Sequence, residues 1–184
     1  MSKITEIQKG RPSDCSSRQE RETRVYGLLD RLGIEYFQVD HERADTMEAC
    51  AEIDKVLGVS ICKNLFLCNR QETDFYLLLM PGDKPFKTKE LSGQLGVARL
   101  SFASPEDMEK YLGVTPGSVS VMGLMNDIEK KVTLLIDEDI INSEFIGCHP
   151  CVNTSSLKIS TDDIIKKFIP ETGHYVTVVK LIGE

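Results

Sequence analysis

Apolar residues along this chain recur at helical spacing in some stretches and at strand spacing in others, and the switches divide it into elements. In residues 17–32, Val25, Leu28, Leu29 and Leu32 fall on one helical face and Gly33 ends the run. That spacing predicts an amphipathic helix. Tyr36-Phe37-Gln38-Val39 reads as a strand. A second helix is expected over 46–57, with Thr46 as its cap, Glu48 in its first turn and Gly58 as its stop. Two β-rich runs, 63–68 and 75–80, flank a polar connection over 69–74, which is a hairpin signal.

Further on, residues 87–95 can form a helix closed by Gly96, followed by a short strand over 100–103. Ser104-Pro105-Glu106-Asp107 opens another helix, with proline just inside the cap, and it stops near Gly113. Strands are expected over 132–136, 157–159 and 175–181, and Thr161-Asp162-Asp163 should cap a short helix through Phe168. Helices and strands intermix, yet some strand pairs are hairpins. This predicts an α+β or mixed α/β domain, a mixed sheet with helices packed on it, in place of a uniformly parallel doubly wound sheet. No internal repeat, low-complexity tract or composition shift marks a second domain. Residues 1–14 are polar and expected to be flexible, and 15–184 should form the domain.

Composition narrows the classes. The 184 residues, 41% hydrophobic and 28% charged, are enough to bury a core without disulfides or metal. No apolar run approaches the ~20 residues that span a bilayer, and the N-terminus lacks an apolar signal core. Six cysteines without a framework pattern point to a reducing cytoplasm. A net charge of -7 argues against duplex DNA held through a generally basic surface. It leaves room for a local basic patch, and Lys84, Lys87 and Lys89 with Arg99 are the candidate; on charge alone they read as a solvated loop face.

Candidate chemistry is concentrated in three segments. Lys63 enters a strongly apolar strand, where an ammonium must be paired, snorkel, or sit at a solvent-reached mouth. Residues 113–120 hold two glycines, a proline and three hydroxyls, a tight loop whose N–H groups could face an oxyanion. The third, Gly147-Cys148-His149-Pro150-Cys151-Val152-Asn153-Thr154-Ser155, has two readings. As a Cys-x-x-Cys pair it suggests disulfide exchange or half of a zinc site. As a His-Pro turn it presents polar donors to a ligand. The redox reading needs a helix after Cys151, but Val152 to Ser155 start one poorly. Zinc needs further ligands, but Cys15, Cys50, Cys62 and Cys68 are scattered and His41 and His174 stand alone. The acidic pairs Glu138-Asp139 and Asp162-Asp163 fall at expected helix starts or turns, where they serve the local dipole.

Taken in order, Lys63-Asn64-Leu65-Phe66-Leu67, Pro116-Gly117-Ser118-Val119 with Gly123-Leu124-Met125-Asn126-Asp127, and Gly147-Cys148-His149-Pro150 with Asn153 and Thr154 resemble the YbaK/ProX family. These are prolyl-tRNA editing domains and their free-standing relatives. His41 with Thr46 is similar to the family's early segment, and the similarity runs from about residue 23 to 181. The resemblance implies a single domain with a curved mixed sheet and helices packed around it, and cytoplasmic hydrolysis of the ester joining a wrong amino acid to tRNA(Pro), without metal or cofactor. Alanyl-tRNA(Pro) is the implied substrate, cysteinyl-tRNA(Pro) the neighbouring branch, and prolyl-tRNA synthetase a possible partner. It implies that Lys63 anchors the phosphate or ester region, that N–H groups from Gly117 to Val119 polarise the carbonyl, and that His149 and Asn153 frame the aminoacyl pocket. Thr46, Asn64, Ser118, Val119, Ser120 and Asn153 are the implied substrate contacts, with Lys63, Gly117 and His149 carrying the chemistry. The chain departs from the family's Gly-x-x-x-Pro loop: Val121 follows Ser120, which is expected to leave the loop less restricted in φ. A thiol protein built on Cys148 and Cys151, and a domain that binds aminoacyl-tRNA without hydrolysing it, remain the rival readings.

Overall fold

The computed structural model describes residues 3–44 and 46–184. In chain order its strands are β1 (Gln8–Lys9), β2 (Tyr36–Asp40), β3 (Lys63–Cys68), β4 (Phe75–Met80), β5 (Ser101–Phe102), β6 (Val132–Asp137), β7 (Phe145–Cys148), β8 (Ser155–Ser160) and β9 (Val176–Val179). The mixed architecture is as expected, but the strands divide between two sheets. One runs β1-β2-β8-β7 and is antiparallel throughout; the other runs β5-β3-β4-β6-β9. In the second, β3 and β4 form the expected hairpin, with Lys63 opposite Met80, while β6 and β9 add in parallel beyond β4. The Asn69 side chain closes the hairpin turn, its Oδ1 accepting from the N–H groups of Thr73 and Asp74 at 2.9 and 3.1 Å.

Alternation of side chains along β4 explains why Phe-Tyr-Leu-Leu-Leu-Met is apolar almost without break. Leu77 and Leu79 face the main core with Phe66, Leu134, Ile136 and the α1 residues Val25, Tyr26 and Leu29, where α1 is Glu20–Arg31. Leu78 and Met80 face the opposite way, against Leu135, Val179 and Leu91 of α3 (Thr88–Leu95). Each such buried side chain contributes roughly 2 kcal/mol of transfer free energy. α2 (Met47–Leu57) packs Ile53 and Leu57 on Val39 of the first sheet. Its Thr46 cap accepts from Ala49 N–H at 3.1 Å, and Gly58 ends it at φ 77°, as the sequence predicts.

Several boundaries differ from expectation. Within residues 1–14, Gln8–Lys9 pairs with β2, Ile4 bridges to His41, and Gly10 N–H donates to Tyr36 O at 2.8 Å. Ser160, not Thr161, caps the late helix, accepting from Asp163 N–H at 3.4 Å. That helix passes through a π-helical turn at Ile164–Phe168 and continues over Ile169–Thr172. The helix opened by Ser104 likewise becomes π-helical at Met108–Leu112 before Gly113 ends it. No helix among the described residues is long and apolar enough to cross a membrane.

Candidate active site

The two sheets meet where β3 begins. Ile61 bridges Gly147, and Cys62 N–H donates to Gly147 O at 2.9 Å. A Cβ at position 147 would lie 2.9 Å from Ser60 O and 3.1 Å from Ile61 Cα, so the seam requires glycine. At this seam opens a cavity of about 620 Å3, lined by α2, the start of β3, the turn at Gly82 and Asp83, and the loops bearing Gly117, His149 and Asn153. Its size lies within the range of small-molecule sites, about 300–1,000 Å3.

Successive β3 side chains point to opposite faces. Lys63 lines the cavity, and its Nζ donates to Lys84 O. That carbonyl is itself fixed, because the Lys84 ammonium is drawn inward to Asp137 Oδ2, Asp139 Oδ2 and Leu181 O, each at 2.7 Å. Burial opposes the charge on Lys84, but the two carboxylates outweigh it and hold its pKa above the usual lysine range. Asn64 does not line the cavity. Its Oδ1 accepts from Val121 N–H at 3.0 Å and its Nδ2 donates to Cys62 O at 3.1 Å. The residue expected to touch substrate instead joins β3 to the loop over 113–120.

That loop turns at Gly117, whose φ of 86° favours glycine. Ser118 is buried and its N–H is spent on Thr115 O at 3.0 Å. Of the three N–H groups expected to polarise a carbonyl, those of Gly117 and Val119 are without a protein partner among the described residues. Gly117 lines the cavity; Val119 packs against the core. Ser120 is fully buried, its hydroxyl donating to His149 O at 2.5 Å and accepting from Met122 N–H at 3.1 Å. It thereby caps the 3-10 turn Val121–Asn126 and ties this loop to the His149 loop. The φ restraint that proline would supply at 121 is replaced: Val121 uses the N–H that proline lacks to hold Asn64.

His149 is positioned from behind. Its Nδ1 lies 2.9 Å from Ser155 O, and a carbonyl can only accept, so Nδ1 carries the proton and Nε2 is the acceptor. The same logic applies to His41, whose Nδ1 donates to Glu42 O at 2.8 Å. Its Nε2 lies 2.8 Å from Ser156 Oγ, and that oxygen lies 3.3 Å from His149 Nδ1. The Ser156 hydroxyl thus stands between the two imidazoles, each held from behind by a backbone carbonyl. Burial lowers the His149 pKa, and His41 adds to the effect. The neighbouring Ser155 hydroxyl donates to Asp40 Oδ1 at 2.5 Å, and Asp40 is clasped by Arg18 at 2.6 and 2.9 Å.

Of the nine residues expected at the site, Lys63, Gly117, His149, Thr46 and Asn153 line the cavity; Asn64, Ser118, Val119 and Ser120 build its walls from behind. Asp54, Ile53, Cys62 and Gly82 line it too, and no motif or spacing pointed to them as site residues. Asp54 resembles any charge on an amphipathic helix until the chain returns through Ile61, whose N–H donates to Asp54 Oδ1 at 3.1 Å. Lys84 leaves the expected basic patch for its buried pair, whereas Lys87 and Lys89 remain exposed.

The thiols are placed otherwise than disulfide exchange requires. Cys62, Cys148 and Cys151 are buried, and Cys151 turns at φ 62° with no helix after it. Burial pushes Cys62 and Cys151 up to about 12 and Cys148 further in the same direction. An exchanging thiol needs the reverse. Among the described residues no group of three or more His, Cys, Asp or Glu is gathered to hold a metal.

Comparison with known proteins identifies the family and the fold. Residues 41–167 match the family model described as the aminoacyl-tRNA editing domain. The chain is 31% identical over 157 residues to the prolyl-tRNA editing protein ProX of Acetoanaerobium sticklandii, covering 85% of this chain and 95% of that one. It is also 31% identical to prolyl-tRNA synthetase associated domain-containing protein 1 of Danio rerio, over 80% of each chain. In fold it is similar to a crystal structure of a candidate trans-editing enzyme for prolyl tRNA synthetase, at a TM-score of 0.64 and 18% identity, covering 90% of this chain and 99% of that one. The chain belongs to the aminoacyl-tRNA editing domain family, in its YbaK/ProX-like group.

Proposed function

We propose that this protein is a trans-editing hydrolase that removes a wrong amino acid from tRNA(Pro), with alanyl-tRNA(Pro) as its substrate. The observation that carries the reading is the convergence of Lys63, the Gly117 turn, His149 and Asn153 on one cavity at the seam between the sheets. The volume is far more than an alanyl group needs. It has room for the terminal nucleoside as well, with Lys63 supplying a cation for the phosphate or ester region. Exclusion of the bulkier prolyl group therefore falls to the part of the cavity next to His149 and Asn153, because attraction alone separates one methylene by only ~1–3 kcal/mol.

In this reading water attacks the ester carbonyl, the carbonyl oxygen takes up the negative charge, and the ribose oxygen leaves with a proton. The Gly117 N–H, on the cavity lining and without a protein partner among the described residues, would stabilise the oxyanion. His149, neutral because burial disfavours its cation, offers Nε2 to hydrogen-bond the water. An aminoacyl ester is already activated, so positioning and charge stabilisation suffice without a covalent nucleophile. The tRNA acceptor end is the proposed partner, with prolyl-tRNA synthetase as a source of mischarged tRNA in the cytoplasm. Deacylation by wild type and Lys63→Ala, each checked for folding by circular dichroism, tests the assignment: the variant should lose most of the activity. Equal rates would remove Lys63, and with it this placement of the substrate.

A further inference from the structure

Asp54 sits on α2 with its side chain in the cavity wall, half-buried. Oδ1 accepts the Ile61 N–H at 3.1 Å, and among the described residues no cation pairs with the carboxylate. Among the described residues the cations of the lining are Lys63, which is turned to Lys84 O, and Arg43, which makes no ion pair with Asp54. Burial pushes the Asp54 pKa up, opposed by hydrogen bonds from Ile61 N–H and the Ser60 side chain. Among the described residues the carboxylate is thus held partly out of water with no ion-pair partner, an arrangement that costs stability unless a ligand supplies the charge. The other carboxylate in the lining, Asp83, is exposed and screened by solvent.

The substrate class proposed above has one full positive charge at its reacting end, the α-ammonium of the amino acid; everything beyond the ester is neutral or anionic. We infer that Asp54 receives this ammonium, so that the cavity separates free aminoacyl esters from esters whose amino group is absent or blocked. Lys63 and Asp54, unpaired with each other, then present opposite charges to the two ends of one ligand. Blocked esters, such as those of a growing peptide on tRNA, are turned away by the same carboxylate, which they would leave half-buried without a counter-charge.

This inference rests on the ester-hydrolase reading, and its test separates the two. Alanyl-tRNA(Pro) is compared with lactyl-tRNA(Pro), in which a hydroxyl replaces the ammonium at nearly constant size, using wild type and Asp54→Asn. The amide oxygen of asparagine retains an acceptor for Ile61 N–H, so the turn is kept while the charge is lost. The wild-type preference for alanyl over lactyl ester, in kcat/KM, should shrink about tenfold or more in Asp54→Asn, the scale of a charge-assisted hydrogen bond. Taking the ratio within each protein cancels the different intrinsic reactivities of the esters. An unchanged ratio overturns the inference while leaving hydrolysis intact; failure of wild type to cleave alanyl-tRNA(Pro) overturns the hydrolase reading itself. Should the variant not fold, wild-type binding of 3′-alanylamino-3′-deoxyadenosine and its lactyl counterpart decides instead. About tenfold tighter binding of the alanyl compound is expected, and equal affinity overturns the inference.

Discussion

Asn64 Oδ1 accepts the backbone N–H of Val121 at 3.0 Å, and this one bond joins the strand that carries Lys63 to the loop that carries Gly117. The two cavity walls therefore share a register. Val121→Pro removes the donor and leaves the Asn64 oxygen unpaired, at a cost of about 1–3 kcal/mol. Asn64→Ala leaves the Val121 N–H unpaired and should cost a similar amount. Both variants should lower the thermal midpoint and slow deacylation. If Val121→Pro is as stable and active as wild type, the bond does not set the loop.

Lys84 and its neighbours in sequence should behave differently under mutation. Replacing Lys84 with Met strands Asp137, whose side chain is fully buried, and breaking such a pair costs about 3–5 kcal/mol. It should also loosen the carbonyl that holds Lys63. Charge reversal at exposed Lys87 and Lys89 should change stability by only about 0.5 kcal/mol. If those two lysines meet the acceptor end, their reversal flattens the salt dependence of tRNA binding. Denaturant titration and binding at several salt concentrations measure both effects.

The thiols supply an independent check. Alkylation of the native protein with iodoacetamide, followed by mass spectrometry, should modify exposed Cys50 first and half-buried Cys15 more slowly. Cys62, Cys148 and Cys151 should react only after unfolding, and Cys151→Ala should remain an active deacylase. Rapid native labelling of Cys148 or Cys151 would restore the thiol reading.

Activity and stability should fail at separate pH values. His149 acts neutral, and its pKa lies below the ordinary histidine value, so kcat/KM should hold down to about pH 6.5 and fall only below it. Asp40 and Asp127 have folded pKa values below the usual aspartate value. Burial works against this, but Arg18 for Asp40, and His174 with two backbone N–H groups for Asp127, prevail. Their stabilisation is complete above the unfolded pKa of about 3.9 and is lost as pH falls through the lower folded values. Between these limits the protein should be folded and slow. An acid limb above pH 6.5 would remove His149 from the role assigned to it.

What the sequence made legible follows from the range of each signal. The β3–β4 hairpin and the Thr46 and Gly58 ends of α2 rest on local chemistry, and they lie where spacing places them. β7 escaped notice because it is only four residues long and Gly147 interrupts it; its pairing comes from β8 and from the seam with Ile61. β1 is two polar residues made a strand by the edge of β2. At the site, resemblance identified the segments that converge but not which way their side chains face. Alternation from Lys63 already turned Asn64 away, whereas Asp54 became visible only when the chain folded back through Ile61.

The most direct measurement is loss of label from alanyl-, cysteinyl- and prolyl-tRNA(Pro) incubated with the purified protein, with chelator present. The account predicts rapid release of alanine, little release of proline, and no effect of the chelator. Release of cysteine in preference to alanine would contradict the proposed substrate, and survival of all three esters would contradict hydrolysis.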